Sequence, residues 1–323
     1  MAADDSRSSM RKIKLAAASV SVLLLTANVF GHGGEAHEIS EVLGKWTFDP
    51  LVILCLSISA IVYSAGIWRL WTGAKTGAGI SVWSATAYAA GWVSLVIALL
   101  SPVHAWGEVL FSAHMTQHEI LMLISAPLIV LGRPMIAAMW AMPMVWRAGV
   151  GSIVNLQAVK HPWRFITHPG AAWAIHAAAL WIWHIPYLFQ ATLESEWVHA
   201  LQHISFFGSA VLFWWAMVNE SRGLASYGAG ILYLFTTSIH SGLLGAFLTF
   251  THRVLYPIYS GTTSQWGLSP IEDQQLGGLI MWVPASLVYI AAALFMFAGW
   301  LRASENSAVR REQQFGKALS SET

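Results

Sequence analysis

The chain has 323 residues, 56% of them hydrophobic and 10% charged, with 17 Lys+Arg set against 16 Asp+Glu. Soluble domains carry about 25% charged residues, so a water-facing globule is excluded; the near-zero net charge offers no nucleic-acid surface, and the apolar excess excludes disorder. The single cysteine, Cys55, excludes an internal disulfide, a CxxC redox pair and a thiolate-rich metal cage. What remains is an all-α, polytopic membrane protein.

In chain order, residues 1–31 read as a signal peptide or an uncleaved anchor. Arg11, Lys12 and Lys14 precede an apolar run from Leu15 to Phe30, and Val29 and Gly31 fit the small-residue cleavage pattern. Residues 32–49 form an exported segment. Runs of about 20 apolar residues cross a bilayer, and seven follow, at roughly 50–68, 81–100, 114–131, 169–186, 197–218, 228–249 and 276–300. Between the third and fourth, Pro143, Arg147, Asn155 and Gln157 break the apolar content. Residues 133–168 are therefore expected to lie along the cytoplasmic headgroup surface, their basic side chains against anionic lipid. Residues 301–323 make a charged cytoplasmic tail.

Charge placement orients this seven-helix bundle. With the first segment's N-terminus inside, 15 of the 17 Lys/Arg fall on the cytoplasmic side, and only Lys45 and Arg253 fall outside. That asymmetry obeys the positive-inside rule. Counting 134–158 as a span would invert everything after it. The mature N-terminus is expected outside and the C-terminus in the cytoplasm.

Once oriented, the histidines concentrate on the outer side. His114-x-x-x-His118 opens the third span and His199-x-x-x-His203 the fifth, while His184 closes the fourth. Residues four apart share one helix face, so each pair presents two imidazoles to one ion, and the five are expected in one layer near the outer boundary. Neutral imidazole suits copper, zinc, iron or nickel; thioether adds a preference for reduced copper. Met115 and Met281 sit at outer span ends and offer sulfur. Histidines in such places also hydrogen-bond neighbouring helices, but polar residues inside spans are costly and tend to be functional. Protonated imidazole does not ligate, so binding is expected to fail below about pH 6.

Other signals are auxiliary. Glu119 is the one carboxylate well inside a span; it offers a proton carrier or a partner to an imidazole. His118-Glu119 resembles the start of a zinc-protease helix, but Met122 stands where the second histidine is required, which excludes that motif. His240 lies deeper in the sixth span and His252 follows it outside. Gly242 and Gly245 read as a close helix contact. These residues leave open a seven-span zinc-dependent hydrolase, a b-type cytochrome with axial histidines, and a copper transporter.

His114-Met-Thr-Gln-His118 running into Ala126-Pro-Leu-Ile-Val-Leu-Gly132 resembles the third span of the CtaG family of cytochrome c oxidase assembly factors, the integral-membrane type associated with caa-type oxidases. Further matches are Trp183-His184-Ile185-Pro186, His199-Ala-Leu-Gln-His203, Phe213-Trp214-Trp215, Leu244-Gly-Ala-Phe-Leu-Thr-Phe250, and Gly267-Leu-Ser-Pro-Ile-Glu-Asp-Gln-Gln-Leu276 leading to Met281-Trp-Val-Pro284. Together they cover roughly residues 50–300. The resemblance implies a non-enzymatic factor of the bacterial plasma membrane that matures a haem–copper oxidase, with oxidase subunits and a periplasmic copper donor as partners. It carries over His114, His118, His184, His199 and His203 as candidate copper ligands, with zinc as the alternative ion. Glu272 and Asp273 match the family and are expected outside, where they recruit a cation, contact the oxidase or cap the seventh span. Glu119 departs from the pattern, standing where an apolar residue is expected.

Overall fold

The computed structural model describes residues 42–220 and 224–321, and within them it is helical, with no strand. The expected signal or anchor segment and residues 32–41 of the exported segment lie outside the described residues. The helices are α1 (Pro50–Gly73), α2 (Val82–Leu100), α3 (Pro102–Val109), α4 (Phe111–Leu131), α5 (Pro134–Ala141), α6 (Met144–Asn155), α7 (Gln157–Ile166), α8 (Pro169–Trp183), α9 (Pro186–Glu194), α10 (Glu196–Glu220), α11 (Leu224–Phe250) and α12 (Pro270–Ser321). Proline opens α1, α3, α5, α8, α9 and α12, at the position where its missing N–H costs nothing. Asp49 caps α1, accepting from Leu51 and Val52 N–H, and Ser81 caps α2 through Ser84 N–H.

Six helices among the described residues are long and apolar enough to cross a bilayer: α1, α2, α4, α10, α11 and α12. The expected span 169–186 is shorter than sequence suggests. Residues before proline disfavour the helical region, and Ile185, ahead of Pro186, is extended. α8 therefore ends at Trp183 after 15 residues, about 22 Å at 1.5 Å per residue. α8 runs antiparallel to α10: Trp183 Nε1 donates to Ser205 Oγ (2.5 Å), and His176 Nδ1 lies 3.1 Å from Ser209 Oγ. The interfacial stretch resolves into three short helices, α5 to α7, with α6 and α7 largely exposed. α5 packs on α1 through Gly66 and Ala137. The expected tail is a direct continuation of α12, which runs 52 residues.

Large apolar side chains stand exposed on the outer faces of the long helices, as with Ile61, Trp83, Leu243 and Phe295. Exposed apolar area on this scale suits hydrocarbon and is foreign to a water-facing monomer. Inside, Met122, Phe206, Phe213, Trp214, Leu234 and Tyr289 form the main core.

α4 changes pitch halfway. Phe111–Glu119 and Ala126–Leu131 are α-helical, and Ile120–Ser125 between them is π-helical. Pro127 has no N–H for the carbonyl four residues back, and the wider turn just before it presents the Met122 carbonyl to Trp214 Nε1 at 2.9 Å. π-turns of this kind recur at functional sites.

α11 and α12 share the most extensive helix–helix contact among the described residues. The expected contact at Gly245 is made against Gly278: a Cβ on Gly278 would lie 2.7 Å from the Gly245 carbonyl oxygen and 2.7 Å from Thr249 N. Both obstacles include backbone, so neither yields. Gly278→Ala is expected to cost about 1–3 kcal/mol and to lower the melting temperature in detergent. Gly208→Ala, with nothing within 4 Å of its Cβ, should leave it unchanged; equal shifts would refute the close-packing account.

Candidate metal centre

The site is built at one end of the bundle, where α4 and α10 begin. One ring nitrogen each from His114, His199 and His203 lies within 4.8 Å of the other two. The i, i+4 spacing does what it promised: ring centroids are 4.4 Å apart for His114–His118 and 4.3 Å for His199–His203. Across the two helices, His114 lies 5.2 Å from His199, and His118 5.4 Å from His203.

α4 is held in place by a residue distant in sequence. Leu110 occupies its N-cap and has no side chain with which to cap it. Asp273, from the first turn of α12, does so instead: its Oδ2 accepts from Phe111 N–H (2.7 Å), and its Oδ1 from Ser112 N–H (3.1 Å) and Ser112 Oγ–H (2.5 Å). A carboxylate at a helix N-terminus satisfies orphan donors and complements the helix dipole. Glu272 has a local task. Its Oε2 accepts from Ser269 N–H and Oγ–H, and its own N–H donates to Ser269 Oγ, a capping box for α12. Of the alternatives raised for this pair, capping is the one observed, and Asp273 caps a helix other than its own.

Polar neighbours orient the rings. His114 Nδ1 lies 3.2 Å from the Gly107 carbonyl and Nε2 3.2 Å from Gln202 Oε1. Tyr259 O–H donates to the same Gly107 carbonyl at 3.0 Å. Burial, with Asp273 and Glu108 nearby, raises the Tyr259 phenol well above its usual range, so it remains a donor. Gln117 Nε2 donates to the Ala98 carbonyl (2.7 Å) and meets His104 Nδ1 at 2.9 Å. That contact places the proton of a neutral His104 ring on Nε2, which faces Glu108 Oε1 at 3.9 Å. His104 stacks on His199 at 5.4 Å. It joins the cluster from α3, an eight-residue helix inside what the sequence presents as a loop.

Several buried polar atoms of the cluster have no hydrogen-bond partner: both ring nitrogens of His118, Nε2 of His199, Nε2 of His203 and Nε2 of Gln202. His118 is only 2% exposed. Unpaired buried polar groups are costly, and convergent imidazole lone pairs fit a metal ion. Outward from the rings opens a cleft of about 640 Å³, lined by His104, His199 and His203 and by four carboxylates, Asp49, Glu108, Glu194 and Glu196.

The other expected residues are placed elsewhere. His184 shares the layer but turns Nε2 to Met115 Sδ at 3.5 Å, outside the three-histidine set. Met281 is buried with Met115, Phe111 and Tyr256 in the apolar packing beside it. Glu119 is an electrostatic neighbour of Tyr289 on α12, and one of its carboxylate oxygens is buried without a partner. His240 packs on Trp173 at 5.2 Å, near His176. His252 is exposed past the end of α11. The structure brings none of Glu119, His240, His252, Glu272 or Asp273 into the three-histidine set.

The chain is similar to uncharacterised proteins of Mycobacterium bovis and Mycobacterium tuberculosis, each 28% identical over 281 residues, covering 85% of this chain and 42% of the relative. A Mycobacterium leprae protein is 27% identical over 281 residues, covering 83% and 41%. The chain thus spans about two-fifths of the length of these relatives. No solved structure matches it. The model of the cytochrome c oxidase caa3 assembly factor family matches residues 61–303, a stretch that holds the histidine layer, Asp273 and all but the first turns of α1, and the chain belongs to that family.

Proposed function

We propose that the protein binds copper at the His114–His199–His203 set, with His118 beside it, and supports metallation of a caa3-type oxidase from the outer face of the bacterial plasma membrane. One observation carries this reading: imidazoles from two helices converge, with unpaired buried nitrogens, at the inner end of an acid-lined cleft. Family membership supplies the oxidase as the partner, and a periplasmic copper donor is the expected source. Imidazole ligation suits copper in either oxidation state and requires no thiolate; zinc is the competing ion. Nothing in the cluster provides a Ser-His-Asp arrangement, and Glu119, a neighbour of Tyr289, is no part of the three-histidine set, which disfavours the hydrolase reading.

In this reading α8 and the His184–Ile185 break carry the chain across as a seventh, shortened crossing. His184 lies at the level of Met115 near the start of α4, so the chain must return through α8 from the end of α4 to that level before α10 begins. The loops at the histidine end then hold Lys45 and Arg253, and the opposite loops hold Arg69, Lys75, Arg133, Arg147, Lys160 and Arg164, an asymmetry that supports an outside location for the histidines.

The test is elemental analysis of detergent-purified protein after loading with reduced copper or with zinc. Wild type is expected to retain copper, and a folded His114→Ala/His199→Ala/His203→Ala variant to hold one equivalent less. Equal metal in both proteins would refute the site; zinc retained with copper refused would redirect the reading to zinc chemistry.

A further inference from the structure

Behind the three-histidine set lies a different pair of donors. His184 follows the last residue of α8, and its Nδ1 lies 2.6 Å from the carbonyl of Leu180, one of the orphan acceptors of a helix end. A carbonyl only accepts, so in the neutral ring the proton is on Nδ1 and Nε2 carries the lone pair. That nitrogen faces Met115 Sδ at 3.5 Å. Two lone-pair donors thus point at each other with no hydrogen between them, in a site where Met115 is fully buried and His184 is 7% exposed. With metal–nitrogen and metal–sulfur bonds of about 2.0 and 2.3 Å, a 3.5 Å separation corresponds to a bond angle near 110° at a shared ion.

A third donor stands close by. His118, on the same face of α4 as Met115, has no partner for either nitrogen. Its ring and that of His184 both pack against Phe206, at 4.6 and 6.1 Å. His118 also touches His114 and His203 of the outer set. The surroundings are apolar: Phe189 lies 6.4 Å from His184, and Phe111 and Tyr256 pack with Met115. Uncharged donors in a dry pocket favour the ion of lower charge, and thioether selects the softer one.

We propose that Met115 Sδ and His184 Nε2 form a second metal position, selective for monovalent copper, with His118 between it and the outer three-histidine set. It rests on the proposed metal role of that set, and the two are separable by experiment. Detergent-purified full-length protein is loaded anaerobically with Cu(I), and separately with Zn(II), then assayed for bound equivalents and for sulfur scattering at the copper edge. Wild type should hold two equivalents of Cu(I), one with a sulfur neighbour, and one equivalent of Zn(II). Met115→Leu, nearly isosteric, should hold one Cu(I) without sulfur and still one Zn(II), which also reports that it is folded. His184→Gln, whose amide still reaches the Leu180 carbonyl, should lose the same equivalent. His199→Ala/His203→Ala should lose Zn(II) and keep the sulfur-bound Cu(I). Two Cu(I) equivalents in Met115→Leu, or wild-type copper without a sulfur neighbour, would overturn the second position. Zn(II) retained by His199→Ala/His203→Ala would instead overturn the outer set.

Discussion

Asp273→Ala is expected to be among the most damaging single substitutions in the protein, although Asp273 touches no imidazole. Its carboxylate is fully buried and accepts three hydrogen bonds from Phe111 and Ser112. Removing it strands two backbone donors and a hydroxyl at the start of α4 in a place where water does not replace them. Loss of a cap costs about 0.5–2 kcal/mol, and an orphaned buried donor about 1–3 kcal/mol; together they predict roughly 2–4 kcal/mol of lost stability, read as a lower melting temperature in detergent. A second effect follows from position. His114 lies one turn beyond the capped residues, and groups that orient metal ligands typically change affinity about 10–100-fold when removed, so metal affinity should weaken by about tenfold in the protein that remains folded. Glu272→Gln is the internal comparison: it alters an exposed capping box on α12 and leaves the start of α4 intact. Equal melting temperatures for the two variants would mean that Asp273 does not hold α4.

That role was beyond reach of the sequence, and the reason is physical. The residues before α4, Val109 and Leu110, give no capping signal, and the residue that supplies the cap is 162 positions from Phe111. Helix periodicity fixes neighbours within a turn or two, which is why the His114/His118 and His199/His203 pairs were legible; it says nothing about which helix ends meet. The same limit separates His184 from the set it was expected to join. Its depth was readable from the span boundary, but the direction of Nε2 depends on the Leu180 carbonyl and on the approach of Met115 from another helix. His104 was hidden differently, because α3 has eight residues and no apolar run long enough to register as a span. Its signal was present in the spacing His104-x-x-x-Glu108, ten residues ahead of His114. Composition also concealed how short the helix in one expected crossing is. The stretch 169–186 is largely apolar, yet Pro186 ends its helical geometry early, a local steric constraint that hydropathy does not weigh.

Neutralising the cleft should slow metal capture while leaving the amount captured at saturation unchanged. Asp49, Glu194 and Glu196 are exposed and line the opening that leads to His199 and His203, whereas Glu108 sits beside His104 and is better left intact. Carboxylates gathered over a cleft with apolar walls focus the field outward and raise the local concentration of cations; steering of this kind accelerates association by about 10–10³-fold at low ionic strength. None of the three is part of the three-histidine set, so their replacement by Asn and Gln removes attraction without removing ligands. The triple variant Asp49→Asn/Glu194→Gln/Glu196→Gln is expected to take up Zn(II) about tenfold more slowly than wild type in low salt, measured by stopped-flow competition with a chromogenic chelator. The Debye length falls from about 30 Å at 0.01 M to about 3 Å at 1 M, so the two rates should converge as salt is raised. Final occupancy should match throughout. Identical rates at low salt would show that ions reach the histidines by another route, and a drop in occupancy at saturation would make one of these carboxylates a ligand in its own right.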